Sequence, residues 1–92
     1  MNKLVVEFLG TFALTAVVLF SKGNWILIGL MLGIDVLLGG KISGGSFNPA
    51  VTLSYCMTNF AGVKYSQFIP YIVAEFLGAI LAAMLFIKLK KR

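Results

Sequence analysis

The sequence is most informative at residues 42–52, which read Ile-Ser-Gly-Gly-Ser-Phe-Asn-Pro-Ala-Val-Thr. The first half of this stretch is too polar and too rich in glycine for a membrane-spanning helix. Asn48 and Pro49 then begin a new helix, because asparagine is a favoured N-cap and proline fits the first helical position. The apolar run ends at residue 58, so this helix is about 15 Å long, half the thickness of a bilayer. We therefore predict a re-entrant segment over residues 41–58, made of a non-helical loop and a half-helix.

The composition predicts that the rest of the chain crosses a membrane. Of the 92 residues, 60% are apolar and 12% are charged, and the mean hydropathy is +0.99. A soluble domain has about 45–50% apolar and roughly 25% charged residues. A soluble fold of this size buries only about 60% of its surface, which could not cover so many apolar side chains. We expect an integral, multi-pass membrane protein; the sequence does not indicate which membrane.

Three further apolar segments predict spanning helices, over residues 4–20, 25–38 and 68–89. The second should end at Gly39-Gly40, where glycine can adopt the left-handed C-terminal conformation. Gly29 and Gly33 in that helix form a Gly-x-x-x-Gly pair of the kind that packs membrane helices closely. The first 22 residues imitate a signal peptide, but Glu7 interrupts the apolar run, so we expect a retained helix. The predicted fold class is all-α membrane, with three transmembrane helices plus one re-entrant half-helix, in a single domain over residues 1–92.

Several functional classes are excluded by the residues that the chain lacks. Without histidine and with Cys56 as its only cysteine, one chain cannot assemble a zinc or iron–sulfur site, and no metal or cofactor is expected. Cys56 is expected to be a small buried hydrophobe. No nucleophile–base pair is visible, so we do not expect an enzyme. The net charge of +5 comes largely from the terminal cluster Lys88, Lys90, Lys91 and Arg92, which is typical of a membrane-surface anchor rather than a nucleic-acid site.

The stretch 42–52 resembles the first asparagine–proline–alanine loop of the aquaporin/aquaglyceroporin (major intrinsic protein) family. Residues 7–11 are similar to the opening helix of that family, and residues 69–79 are similar to its third helix. The resemblance covers nearly the whole chain, in the same order. Members of the family have six spanning helices and two such loops, arranged as two inverted repeats, whereas this chain carries one repeat. The resemblance therefore implies one half of an aquaporin-like fold, a half-aquaporin.

The chain lacks the second-repeat loop of the family and departs from the family pattern at two positions. Val51 follows the Asn-Pro-Ala triplet, as in first-repeat loops; second-repeat loops carry an arginine there, which belongs to the family's aromatic/arginine selectivity filter. Ser46 replaces a usual histidine, and Glu75 stands where a glutamine is common. The resemblance thus implies a channel whose constriction lacks a fixed cation.

The loop also has the physical properties of a pore centre. A half-helix that begins at the membrane midplane points the positive end of its macrodipole at the centre. The pore-centre motif is Asn48, Pro49 and Ala50, with the Asn48 amide as a hydrogen-bond donor. The backbone carbonyls that an extended loop would leave unpaired, as acceptors lining the pore, are those of Gly44, Gly45 and Ser46. Such a row suits a single file of water or small alcohols, whereas the dipole ends disfavour cations and protons.

A narrow point is predicted from the register of the second helix. Ile28 lies twenty residues before Asn48, which by resemblance is the helix-two filter position. The residues expected at the constriction are Ile28, Val51, Val36 and Asp35. Asp35 lies seven residues after Ile28 and on the same helical face. Two interpretations stay open for Asp35: an acid that faces the lumen, or an interfacial acid that is solvated or paired with Lys41.

Glu7 and Glu75 lie inside predicted spanning helices, where a carboxylate needs a partner. The resemblance implies that Glu7 is a structural acceptor for backbone N–H groups of the loop, and we assign Glu75 a structural role as well. Proton coupling, as in small transporters with an intramembrane carboxylate, is the competing interpretation for both residues.

These features predict a passive transmembrane channel for water, and for glycerol or another small neutral solute. One repeat provides half a pore, and inverted repeats are related by a two-fold axis in the membrane plane. We therefore expect an antiparallel homodimer in the lipid bilayer, alone or gathered into a higher oligomer of dimers. Two alternatives remain: a dual-topology, proton-coupled small exporter using Glu7 or Glu75, and a non-conducting half-channel that needs another partner.

The distribution of lysine and arginine predicts dual topology. If residues 41–58 fold back to the side they left, one side of the membrane holds Lys3, Lys41 and Lys64. The other side holds Lys22, Lys88, Lys90, Lys91 and Arg92. Orientation follows the excess of lysine and arginine on the cytoplasmic side, and here that excess is small. A chain with so weak a bias is expected to insert both ways round.

Overall fold

The computed structural model describes residues 2–90, and its regular elements are helices. The α-helices are α1 (Lys3–Phe20), α2 (Trp25–Ser43), α3 (Pro49–Thr58) and α4 (Phe68–Lys90), with 3₁₀ turns at Phe60–Gly62 and Tyr65–Gln67. No strand occurs between residues 2 and 90. Helices α1, α2 and α4 are long and apolar enough to cross a membrane, whereas α3 has 10 residues. The predicted fold class, all-α with three candidate spanning helices and one half-length helix, is confirmed.

Asparagine begins the first three helices by the same local chemistry. The Asn2 Oδ1 accepts a hydrogen bond from the Leu4 N–H at 2.7 Å, and the Asn24 Oδ1 accepts from the Ile26 N–H at 3.0 Å. Asn48 caps α3 in the same way. Because an N-cap involves only residues two or three apart, these helix starts could be predicted from the sequence.

Helix α1 packs against both α2 and α4, and α3 packs against α4. Gly78 allows α4 to approach α1 closely, since a Cβ at this position would collide with the Phe8 carbonyl oxygen and lie 3.0 Å from the Phe12 nitrogen. Gly29 and Gly33 of α2, by contrast, face open space in the described part of the chain. Their Gly-x-x-x-Gly pair therefore lies on a face of α2 that no other described residue covers, here called the free face of α2.

The end of α2 corrects the predicted boundary at residue 38. The helix does not stop at Gly39-Gly40 but continues to Ser43, and Gly44 is its C-cap, with a φ of 91° and its N–H donating to the Gly40 carbonyl at 2.9 Å. Gly39 is instead a point of close packing, since a Cβ there would lie 3.0 Å from Cζ of Phe47. Glycine occurs both at helix C-caps and at points of close helix packing, and the local sequence does not distinguish the two. The non-helical loop therefore begins at residue 44 rather than 41.

The predictions for the two ends of the chain concern α1, α4 and the terminal cluster of lysine and arginine. Helices α1 and α4 begin and end within one residue of the predicted segments 4–20 and 68–89. Lys88 and Lys90 are exposed in the last turn of α4. The other two members of the predicted membrane-surface cluster, Lys91 and Arg92, lie outside the described residues.

Candidate functional site

The loop of residues 44–48 joins α2 to α3 in an irregular conformation. Gly44, Gly45 and Phe47 have left-handed φ angles of 91°, 69° and 50°. A left-handed conformation is unfavourable for phenylalanine, so tertiary contacts must hold it in place. The Phe47 side chain is buried and lies against Gly10 of α1, where a Cβ would collide with the ring. Packing against this glycine anchors the loop to α1.

Glu7 of α1 is fully buried against this loop. Its Oε1 accepts hydrogen bonds from the Phe47 N–H at 2.9 Å and the Ser46 hydroxyl at 3.0 Å. Its Oε2 accepts from the Ser43 hydroxyl at 2.6 Å. Both carboxylate oxygens therefore have partners, and these contacts are the ones expected of an acceptor that holds the loop.

Glu75 reaches the same loop from α4. Its Oε2 accepts from the Thr52 hydroxyl at 2.7 Å and lies 3.2 Å from the Ser46 Oγ. The two hydroxyl oxygens of Ser46 and Thr52 are 2.8 Å apart. The Ser46 hydroxyl is thus within hydrogen-bonding distance of both buried carboxylates, and its side chain links α1 to α4. The Glu75 Oε1 has no partner among residues 2–90.

Sequence reasoning missed the hydroxyl groups that complete this cluster. Ser43 and Thr52 are buried beside the two acids, and the Tyr71 hydroxyl donates to the Ser43 carbonyl at 2.9 Å. Tyr71 also belongs to a small apolar core with Cys56 and Val63. The sequence could have predicted these hydroxyl partners. Two intramembrane acids require hydrogen-bond donors, and residues with hydroxyl groups flank the loop on both sides.

Asn48 lies exposed at the N-terminus of α3. Its Oδ1 accepts from the Ala50 N–H at 2.8 Å and the Val51 N–H at 3.4 Å, and Pro49 occupies the first helical position. Because the helix engages the side-chain oxygen, the amide NH₂ is the part of Asn48 left to donate to a ligand. It makes no hydrogen bond to any other described residue.

The backbone carbonyls predicted as acceptors, those of Gly44, Gly45 and Ser46, accept no hydrogen bond from any residue between 2 and 90. The carbonyls on either side of them are paired: that of Ser43 with Tyr71, and that of Phe47 with the Thr11 hydroxyl at 3.3 Å. The loop therefore carries three consecutive free acceptors, followed closely by one free amide donor. Such a segment can bind water or a hydroxyl group.

The predicted constriction residues lie in different environments. Ile28 is half-buried, whereas Val36 and Val51 are exposed. Asp35 is buried and lines a cleft of about 260 Å³ between α1 and α2, to which the other three residues do not contribute. The Asp35 Oδ2 has no partner in the described chain, and the pairing with Lys41, one of the two forms of the interfacial interpretation, is not observed.

The chain is similar to membrane channel proteins along most of its length. The family model described as Major intrinsic protein matches residues 22–92. Glycerol uptake facilitator protein-like 6 of Lactiplantibacillus plantarum is 41% identical over 91 residues, which cover 90% of this chain and 41% of that protein. The glycerol uptake facilitator protein of Streptococcus pneumoniae is 35% identical over 101 residues, covering 92% and 42%. Aquaglyceroporin-2 of Rhizophagus irregularis is 43% identical over 92 residues, covering 84% and 28%. No solved structure matches the chain.

The family match covers more than half of the chain, which therefore belongs to the major intrinsic protein family, as its loop implied. It is an integral, multi-pass membrane protein, and the expectation that it is not an enzyme is confirmed by this membership. The chain spans about two fifths of the length of the two bacterial relatives.

Proposed function

We propose that this member of the major intrinsic protein family is a passive channel for water and for glycerol or another small neutral solute. The observation that carries the proposal is the loop of residues 44–48, where three free carbonyls precede the free amide of Asn48 at the start of a half-length helix. The names of the relatives, two glycerol uptake facilitators and an aquaglyceroporin, support this class of permeant.

Selection of the permeant follows from hydrogen bonding and from the field of α3. The N-terminus of α3 carries the positive end of the helix macrodipole, and the Asn48 amide adds a donor there. A water molecule or an alcohol can exchange its solvent contacts for this donor and for the loop carbonyls. A cation, in contrast, loses its hydration at the positive end of a helix.

The pore is completed by a second copy of the chain in antiparallel orientation. One chain supplies one half-helix, and a two-fold axis in the membrane plane would bring a second half-helix to face it, N-terminus to N-terminus. The free face of α2 supports this arrangement, because Gly29 and Gly33 leave room there for another helix to approach closely.

In such a dimer, each mouth combines residues of both protomers. Ile28 of one protomer faces Gly45 and Val51 of the other, with Val36 or Asp35 alongside. No lysine or arginine stands at these positions. The mouth therefore lacks a fixed cation, and discrimination against ions falls to the half-helix dipoles and the narrowness of the pore.

A proton-coupled exporter is the second candidate, because the Glu75 Oε1 is buried without a partner among the described residues. Glu7 is less suited to carry protons, since both of its oxygens accept hydrogen bonds from the loop region. Transport that requires a proton gradient and is lost in Glu75→Gln would establish this function. Passive flux that needs no gradient would reject it.

The channel function is tested by stopped-flow light scattering of proteoliposomes, with water and glycerol gradients run separately. Asn48→Asp keeps the N-cap, because aspartate caps as well as asparagine. It replaces the amide donor by a carboxylate and reverses the local field. We expect neutral-solute permeability to fall about ten-fold, the effect of one lost hydrogen bond of roughly 1–1.5 kcal/mol, or Na⁺ to enter.

The matched control is Asn59→Asp, the same substitution at the other end of α3. Asn59 is exposed and is the left-handed C-cap of the helix, a conformation that aspartate also tolerates. This variant should conduct like the unaltered protein. If Asn48→Asp also left water flux, glycerol flux and cation exclusion unchanged, Asn48 would have no role in a pore.

A further inference from the structure

Asp35 is a buried carboxylate that the described chain does not satisfy. Its side chain is 7% exposed, no hydrogen bond or ion pair from residues 2–90 reaches it, and its Oδ2 is sealed from solvent. It lies ten residues after Trp25, about 15 Å along α2 and hence near the middle of the span. A carboxylate at that depth is costly and marks a binding site unless something pairs with it.

An open, largely apolar cleft lies beside Asp35. It has a volume of about 260 Å³ and is bounded by α1, α2 and the loop. Its other lining residues are Val6, Leu9, Gly10, Leu38, Gly39, Ile42 and Phe47. The site thus offers one carboxylate within an otherwise apolar wall, and its size is near the lower limit of small-molecule sites.

The charges around the cleft favour a cationic ligand. All three acids of the chain are buried, whereas each lysine between residues 2 and 90 is exposed. Glu7 and Glu75 receive hydroxyl or N–H donors at the loop, but Asp35 receives none. Asp35 is therefore the acid that borders an opening and has neither a donor nor a counter-cation among the described residues.

A bare metal ion and a polyol both fit the cleft beside Asp35 poorly. A bare metal ion needs several oxygen ligands, and no group of three metal-ligating side chains occurs within residues 2–90. A polyol would turn most of its hydroxyl groups toward apolar side chains, which would leave them without partners. A ligand with one cationic, hydrogen-bond-donating head and a short apolar body needs only one carboxylate, and it leaves no polar group against the apolar wall.

We propose that the α1–α2 cleft binds a small primary alkylammonium ion. The ammonium group donates to the Asp35 carboxylate, and the alkyl chain contacts the apolar wall formed by Leu9, Leu38 and Ile42. Binding to this cleft is measured on the chain itself without a gradient, so its failure is distinguishable from a failure of the channel proposal, in which Asp35 stands beside the mouth.

The test is calorimetric titration of the purified chain in detergent micelles with butylammonium. Tetramethylammonium supplies the charge without N–H donors, and butan-1-ol supplies the same apolar body without charge. We expect saturable binding of butylammonium, at least about ten-fold tighter than either comparison compound, because a charged hydrogen bond exceeds each part alone. Equal binding of the three compounds would overturn the proposal, since it would indicate partition into the micelle.

Substitutions separate the carboxylate from the cleft. Asp35→Asn should weaken butylammonium binding at least ten-fold, whereas Asp35→Glu, which keeps the charge, should retain it within a few fold. Leu38→Trp should also abolish binding by filling the cleft. Leu81→Trp is the matched control, since Leu81 lies exposed on α4 and away from the cleft. Undiminished binding in Asp35→Asn, or no saturable binding to the unaltered chain because a lipid tail or a second copy fills the cleft, would refute the proposal.

Discussion

Glu7 and Asp35 are both carboxylates buried in helices long enough to span a membrane, yet their surroundings differ completely. Glu7 accepts hydrogen bonds at both oxygens from the loop region, whereas Asp35 accepts none from the described residues. The first acid therefore fixes the shape of its own chain, and the second is available to something outside it. Burial alone does not assign a role to an intramembrane acid; the hydrogen-bond donors around it do.

Removal of the Glu7 charge should produce the largest effect. In Glu7→Gln the side chain keeps one acceptor oxygen but turns an NH₂ group toward hydroxyl and N–H donors. We expect the free energy of unfolding to fall by about 3 kcal/mol, since hydrogen bonds to a charged group are lost, and flux to be lost to the same extent at acidic and at neutral pH. Equilibrium unfolding in mixed micelles measures the first quantity. Unchanged stability would contradict the structural role of Glu7.

Removal of a single donor to Glu75 should have a medium effect. Thr52→Val preserves the shape of the side chain but deletes the hydroxyl that bonds the Glu75 Oε2 at 2.7 Å. We expect a loss of about 1–3 kcal/mol in the same unfolding measurement, because a buried acceptor is left short of a partner. Thr58→Val is the control, since among residues 2–90 the Thr58 hydroxyl bonds only the exposed Ser54 carbonyl, and it should change stability by less than about 0.5 kcal/mol.

Neutralisation of Asp35 should have the smallest effect on stability. Asp35→Asn removes an unpaired buried charge, so we expect an unfolding free energy within about 1 kcal/mol of the unaltered value, or higher. A loss of unfolding free energy as large as that of Glu7→Gln would contradict the proposed difference between the two acids. The same variant resolves its two interpretations: changed permeability at normal yield indicates a lumenal acid, and unchanged permeability places Asp35 outside the conduction path.

The sequence was sufficient wherever the chemistry is local. Caps at Asn2, Asn24 and Asn48 begin helices through contacts two or three residues away, and the start of α3 at Pro49 followed from this. The membrane class followed from composition alone. The end of α2 was predicted too early, because the packing of Gly39 against Phe47 is a tertiary contact that its neighbours in sequence do not reveal.

The polar cluster shows a second limit of sequence reasoning. Ser46 was singled out for its backbone carbonyl, but its hydroxyl stands between Glu7 and Glu75, which lie on different helices. That role depends on how α1 and α4 meet, which local spacing does not encode. Likewise, the helical register placed Asp35 on the face of Ile28, yet only the packing of α1 on α2 shows that it borders a cleft.

The antiparallel pairing of two copies can be tested by fixing the orientation of the chain in the membrane. Ser66→Lys with Lys22→Ser, Lys88→Ser, Lys90→Ser and Lys91→Ser leaves four lysines on one side and Arg92 alone on the other. Lys3→Ser with Lys64→Ser leaves Lys41 alone against five cations on the opposite side. Glycerol flux is then measured in vesicles from cells that express either variant alone or both together. If the pore needs two antiparallel copies, neither variant alone gives flux and the pair together restores it. Full flux from one fixed-orientation variant alone would contradict it.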